Sequence, residues 1–445
     1  MNKRFLMRLG KNPFEPVSGY GTLDRNTIGG NNGNLIFGAA AHKLFSTEGV
    51  TVEANNYQVD KSMADRINSE YDAFILPLAN AFRPSFEPEL LRTAELIEKL
   101  KIPVLMLSGG AQIGESGDSS HLLAMEGTTK RFLRAVLEKS SHITVRGEDS
   151  AEYISSLGFK DVLVVGCPSM TMFGRGHSVT PKKDLPPGGQ IAYNLEPTNL
   201  FGLGLIEDAE AEFDPVYMPQ DRSTLEMLLW GTSPYPRISN RYPFNPNHHQ
   251  IVDQVAEYHL DARTWIDRMR RFDFSFGARI HGNIAAVLGG TPSVVLAHDR
   301  RTMELAKYHR IPYIDVYRDG LPSSVEELYS YSSFDEFNAG HAERFDILSD
   351  FIHENGFDHI YDEGEEDALN QYESKLANID YPESQRFVWS RLTDREKTAL
   401  QTIQSRYLST ANRLKTLERK QIQSDRRSKK IEAKVDRLLE TLRGL

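Results

Sequence analysis

Two hydrophobic periods take turns along the chain. Short apolar runs at 72–77 (DAFILP), 103–107 (PVLML), 142–145 (HITV) and 161–165 (DVLVV) have few polar interruptions, while 34–44, 89–100, 131–139 and 149–157 space their apolar residues three and four apart. The first kind predicts buried strands and the second amphipathic helices. Their alternation predicts repeated strand–helix units, hence a parallel, doubly wound sheet. A Pro-, Gly- and Lys-rich stretch, roughly 168–189, breaks the rhythm and marks a domain boundary. The rhythm then resumes. A strand at 190–195 precedes helices at 222–229, 251–258 and 264–271. A strand through Phe272, Phe274 and Phe276 leads to a helix from Ile280 that stops at Gly289-Gly290, then to a strand from Ser293, a helix at 303–309 and a strand at 313–316.

This pattern divides the chain into residues 1–175, a first Rossmann-like domain, and 185–360, a second. A linker follows at 361–390, with the acidic run DEGEED, and then a tail at 391–445. From Leu400 the tail keeps a 3-4 spacing through Ile403, Tyr407, Leu414, Leu417, Ile431, Val435, Leu438 and Leu442, with a polar centre at Gln421, Ser424 and Ser428. No Pro interrupts it. A narrow seam of period 3.5 predicts a coiled coil that joins subunits into a homo-oligomer.

Charge separates the two parts. The net charge is −10, but residues 391–445 hold 15 basic and 7 acidic residues, a net of +8, which leaves −18 for the rest. The basic cluster around Arg426, Arg427, Lys429 and Lys430 makes the tail a candidate for peripheral contact with an anionic membrane surface. No stretch approaches the length of a membrane span, and no signal-peptide core follows the N-terminus. One cysteine, Cys167, excludes an internal disulfide framework and suits a reducing compartment. A cytoplasmic protein is expected, with Cys167 a buried structural thiol.

Candidate chemistry begins with what is missing. There is no G-x-G-x-x-G, no G-x-x-x-x-G-K-[ST], no G-x-S-x-G and no pair of aspartates one residue apart, which weakens dinucleotide, P-loop, hydrolase and metal-dependent glycosyltransferase readings. His248-His249 lies in a loop with no metal-ligand spacing around it and reads as surface. What remains sits at strand ends. In SFGARIHGNIAAVLGGTPSVVL, Arg279 and His281 fall at the turn before a helix, where free N–H groups favour anions. Arg146 follows the 142–145 strand in ITVRGEDSAEYI, with Glu148 or Asp149 expected to cap the helix. Asn31, Asn32 and Asn34 crowd the first strand–helix loop, and Ser108 and Gln112 lie in SGGAQ.

The segment SFGARIHGNIAAVLGGTPSVVLAHD resembles the polysaccharide pyruvyl transferase family, with its R-x-H-G turn, small-residue helix and G-x-P strand. ITVRGEDSAEYISSLGF…DVLVVGCPSM is similar to that family's R-(D/E)-x-x-S segment, and NNGNLIFGAAAHKLF to its N-x-G-(D/N) start. The resemblance implies two Rossmann-like domains facing a cleft, as in the GT-B glycosyltransferases. It also implies transfer of the enolpyruvyl group of phosphoenolpyruvate to a sugar of a polysaccharide or its lipid-linked precursor, as a ketal, with release of phosphate. Arg146, Arg279, His281 and Gly282 would bind phosphoenolpyruvate, His281 and Arg279 would be catalytic, and Asn32, Asn34, Ser108 and Gln112 would face the saccharide acceptor. No cofactor, metal or nucleic acid is implied. The alternative is a GT-B-type glycosyltransferase with a nucleotide-sugar donor.

Overall fold

The apolar run at 73–77 becomes a strand buried at every position, and so does 104–107. Burial on both faces belongs to a parallel sheet sandwiched by helices. The computed structural model describes residues 2–406 other than 198, together with 409, 413 and 416. Met1–Phe387 form one compact unit and Val388–Leu445 another.

The first unit holds two parallel sheets. In the first, β1 (Lys3–Met7), β2 (Val50–Ala54), β3 (Ala73–Pro77) and β4 (Val104–Leu107) run in the order β2-β1-β3-β4. A parallel pair, β5 (Ile143–Val145) and β6 (Val162–Val164), continues it through a bridge between Gly109 and Val145. The second sheet takes β7 (Gln190–Asn194), β8 (Asp214–Tyr217), β9 (Phe274–Gly277), β10 (Ser293–Ala297) and β11 (Tyr313–Asp315) in the order β11-β10-β9-β7-β8. Each sheet starts in its middle, winds once to one side and then reverses. The reversal leaves a crevice at the carboxyl ends of β1 and β3, and another at those of β7 and β9.

The pleat sorts the first sheet's side chains. Leu6, Phe74, Leu76 and Met106 join Leu90, Ile97, Phe132 and Ile154 in one core. Phe5, Met7, Ile75 and Leu105 face the other way, onto Leu44, Phe45, Phe351 and Ile352. A third core joins the two halves of the unit: Ile36, Phe37 and Ala40, from the helix Gly33–Leu44, meet Ile284, Ala285 and Leu288, from the helix Ile280–Gly289. The helix Asp335–Glu354 ties them again, with Phe337 in that seam and Leu348 and Phe351 on the first sheet.

Several elements depart from the sequence pattern. The pattern shows no strand at β1, β2 or β8. The outer strand β2 carries Thr51 and Glu53 at exposed or partly exposed positions, β8 opens on the exposed Asp214 followed by Pro215, and β1 opens on Lys3-Arg4. The helix expected at 251–258 is only His249–Val252, because Gln254 takes a left-handed conformation (φ 61°) and Tyr258 pairs with Gln385. Gly147 caps the helix Glu148–Ser156, with Glu148 and Asp149 in its first turn. Within the stretch read as a linker, Glu366–Ala377 is a helix that buries Tyr372 against Phe14 and His42.

In the second unit, 394–406 is helical and Ile403 is exposed. The coiled-coil reading rests mostly on positions outside the described residues. No helix among the described residues is long and apolar enough to cross a membrane.

Candidate active site

The carboxyl ends of both sheets open on one cleft of about 670 Å³ within the first unit. Nearly every inner strand delivers a polar side chain to it. Arg8 follows β1, Arg83 follows β3, Ser108 follows β4 and Arg146 follows β5. From the second half, Glu196 follows β7, Asp221 follows β8, Arg279 and His281 follow β9, and Asp299 and Arg301 follow β10.

The β9 turn is built from its backbone outward. Gly277 (φ 151°) lies so close to Asn194 that a β-carbon would meet the Asn194 carbonyl oxygen at 1.9 Å. Two residues on, the Arg279 N–H donates to Asn194 Oδ1 at 2.7 Å and fixes the turn. Arg279 is the N-cap of the helix Ile280–Gly289 and its own side chain makes no capping bond. The first helical residues, Ile280 and His281, line the cleft, where the free N–H groups of a helix start favour anions. The Arg279 guanidinium contacts Glu196 Oε2 at 2.9 Å and also Asp221, while its Nε is buried with no partner among the described residues. Burial raises the Asp221 carboxyl above its ordinary range, and Arg279 opposes that rise. Gly282 is buried beneath the turn, where a β-carbon would approach Gln220 Nε2 and Asn194 Nδ2 within 2.6 Å.

His281 is half-buried in the cleft wall. Its Nε2 stands 3.8 Å from Cys167 Sγ, and the Phe37 ring meets it edge-on. Burial, and then the nearby Arg146 charge, push it down to about 4, so it is neutral at pH 7 in the free protein. Burial pushes Cys167 up to about 11, which leaves an unreactive thiol donating to Ser169 Oγ at 3.2 Å.

Arg146 differs from Arg279. It donates through Nε to Glu304 at 2.8 Å, through Nη2 to the Ala111 carbonyl at 3.0 Å and through Nη1 to that of Ala79 at 3.4 Å. The other Glu304 oxygen accepts the Ser150 N–H at 2.7 Å, at the start of the helix Glu148–Ser156. Arg146 therefore brings positive charge to the cleft while its donors hold the two halves together.

The polar residues expected on the acceptor side divide. Asn34 and Ser108 line the cleft. Asn32 does not: it is fully buried in the seam, its amide donating to the His259 carbonyl at 3.0 Å and its N–H to that of Gln220 at 3.0 Å. Gln112 also lies off the lining, with its carbonyl accepting from His121 Nε2 at 2.7 Å. The sequence pattern passes over Arg8, Arg83, Asp221, Glu196 and Arg301. Arg8 was findable, since it ends the run RFLM, but the acidic partners of the β9 turn come from distant loops.

His248 is buried, which corrects its surface reading, and packs with His249 beside Glu210. Its Nδ1 accepts the Gln250 N–H at 3.2 Å, so its proton sits on Nε2, facing Glu210. That orientation reverses what a metal-bound ring requires.

A family model described as polysaccharide pyruvyl transferase matches residues 33–300. No curated protein matches the chain. Similar solved structures include a functionally uncharacterized protein from Klebsiella pneumoniae (14% identity over 70% of this chain and 93% of that one, TM-score 0.37). A UDP-GlcNAc 2-epimerase from Neisseria meningitidis is similar at 11% identity over 85% and 100% of the two chains, with a TM-score of 0.40. A UDP-N-acetylglucosamine 2-epimerase from Rickettsia bellii is similar at 9% identity over 80% and 96%, with a TM-score of 0.41.

Proposed function

The chain belongs to the polysaccharide pyruvyl transferase family, and from that premise we propose that it moves the enolpyruvyl group of phosphoenolpyruvate onto two hydroxyls of a sugar, forming a cyclic ketal and releasing phosphate. The observation that carries the reading is the Arg279–His281 turn, which presents a guanidinium, an imidazole and an uncapped helix N-terminus to one cleft. Phosphoenolpyruvate is a small scaffold with a phosphate and a carboxylate, and planar guanidinium forks match both groups. Arg279 and the helix N-terminus bind the donor directly, while Gly282, off the cleft lining, lets the turn pack closely on Gln220 and Asn194. Arg146 adds charge from behind.

The chemistry then needs protons at defined atoms. C3 of the enol takes one proton, and C2 becomes an oxocarbenium-like centre that the first sugar oxygen attacks. The bond from C2 to the phosphate oxygen breaks, and the second sugar oxygen closes the ketal. One proton enters at C3, two leave the hydroxyls and the difference goes out with phosphate. His281 is the proton carrier: a bound phosphate dianion offsets the burial that keeps it neutral, so it charges when the donor arrives. Asp221 and Glu196, the acids paired with Arg279, take the hydroxyl protons. Asn34 and Ser108 face the acceptor. No cofactor enters the scheme.

Release of inorganic phosphate from phosphoenolpyruvate, measured against a panel of saccharides and lipid-linked saccharides, tests the proposal. We expect acceptor-dependent release that Arg279→Ala sharply reduces at phosphoenolpyruvate concentrations that serve the wild-type protein. Turnover of a nucleotide sugar, with phosphoenolpyruvate untouched, overturns it.

A further inference from the structure

Five arginines line the cleft, and their partners sort them. Arg146 is paired with Glu304 at 2.8 Å, Arg279 with Glu196 and Asp221, and Arg301 donates through Nε to Asp299 at 2.9 Å. Arg8 and Arg83 stand apart. Arg83 has no carboxylate partner among the described residues; it donates to Ser85 Oγ at 3.0 Å and to the Asn80 carbonyl. The acid beside Arg8 is Glu89, at 3.8 Å, and its other oxygen already holds Arg92 at 2.6 Å. Arg8 Nε is buried without a partner among the described residues, and only 13% of the Arg8 side chain is exposed.

Aromatic rings hold both guanidinium groups in place. Each lies 5.3 Å from the centroid of Phe86, and Arg8 lies 4.8 Å from that of Tyr57. Such contacts orient a cation without neutralising it. From the second half, Arg301 reaches the same spot. With its carbonyl turned toward them, the Asn80 side chain accepts from Arg83 Nη1 and Arg301 Nη1, each at 3.2 Å. Burial, and then repulsion from Arg301, Arg8 and Arg146, lowers Arg83 below the ordinary arginine range. Three like charges gathered at the mouth of two sheets, two of them poorly compensated, need an anion.

We propose that Arg8 and Arg83, with Arg301 facing them, form a phosphoryl-binding subsite of the cleft, separate from the Arg279–His281 turn. Several guanidinium forks along one stretch of the cleft can share the oxygens of a phosphoryl group, which offers more of them than a carboxylate. The phosphoryl group has two possible sources, the donor's own phosphate or a phosphate or diphosphate on the acceptor sugar. Which substrate supplies it rests on the pyruvyl-transfer reading; the binding of a phosphoryl group does not.

Calorimetry on the full chain, with phosphoenolpyruvate and with inorganic pyrophosphate as probes, tests the subsite. We expect Arg83→Gln and Arg8→Gln each to weaken pyrophosphate binding at least tenfold, and Arg83→Lys, which keeps the charge and loses the fork, to fall between. A parallel loss for phosphoenolpyruvate assigns the subsite to the donor, and a loss for pyrophosphate alone assigns it to the acceptor. Wild-type affinity for both probes in the variants, or no pyrophosphate binding by the wild-type protein, overturns the proposal. If Arg83→Gln does not fold, Arg83→Lys and Arg8→Gln decide it by the same criterion. Pyrophosphate binding that depends on Arg83, in a protein that never consumes phosphoenolpyruvate, would sink the pyruvyl reading and leave the subsite standing.

Discussion

Arg146 and Arg279 look alike in the sequence, each just past a strand, but the structure gives them different work. The Arg146–Glu304 pair is buried on both sides, at 6% and 3% exposure. Removing the arginine strands a buried carboxylate, which typically costs about 3–5 kcal/mol. Arg146→Ala is therefore expected to lower the melting temperature sharply and to lose activity with the fold. Arg279→Ala also strands acids, but Asp221 already sits above its ordinary range and can take a proton, so its loss should fall mainly on donor affinity, at least tenfold. Calorimetric scans and phosphoenolpyruvate titrations of the two variants separate these outcomes. His281→Gln keeps a hydrogen-bond donor and loses the proton carrier; a fall in kcat of roughly 10²–10⁴ with a much smaller change in donor affinity is expected, and wild-type turnover would remove His281 from that role. The β9 turn was legible because strand, Gly, Arg and helix are consecutive in the chain. Arg83 was not, and Arg8 only by its place at the end of the run RFLM, since what distinguishes the two is a missing counter-charge, a property of residues far apart in sequence.

At the scale of elements, the strands with unbroken apolar runs declared themselves, and β1, β2 and β8, which carry or open on polar residues, did not. β2 and β8 pair on one side only and carry polar residues that blur the period. The helix Gly33–Leu44 was visible in outline, but its job was not: it packs on the helix Ile280–Gly289 across the seam. Gly33 makes that approach possible. A β-carbon there would lie 2.7 Å from His281 Cβ and Cγ and 2.8 Å from Asn31 Oδ1. Gly33→Ala should thus displace the imidazole and lower kcat about tenfold or more while donor binding through Arg279 persists. Unchanged kinetics in a folded Gly33→Ala protein would mean the turn tolerates the shift.

For the whole molecule, the alternation of strands and helices foretold two parallel α/β halves, yet not how the chain returns to the first. The helix Asp335–Glu354 begins in the seam and ends on the first sheet, and no local period reports which core a helix reaches. Acid should weaken this assembly. Burial holds His42 and His281 at about 4 and His259 at about 3. Because these folded values lie below the unfolded one near 6.5, the unfolded chain binds more protons in between. Stability is then full above about pH 6.5 and falls as pH drops toward 4, which denaturant titrations at several pH values would show. The tail carries a separate proposal, that residues 391–445 join subunits and bring their basic cluster to an anionic surface. Deleting them should reduce the mass seen by light scattering and abolish salt-sensitive binding to anionic vesicles. An unchanged mass refutes the first half, and vesicle binding that survives deletion the second. The central claim is tested most directly by carbon NMR of the reaction with phosphoenolpyruvate labelled at C2 and C3, in deuterated water, with an acceptor that supports phosphate release. The account predicts that C2 becomes a ketal carbon bonded to two sugar oxygens, that C3 becomes a methyl carrying one solvent deuteron, and that phosphate appears in equal amount. Label found only in free pyruvate, or left in phosphoenolpyruvate while the acceptor is otherwise modified, would contradict it.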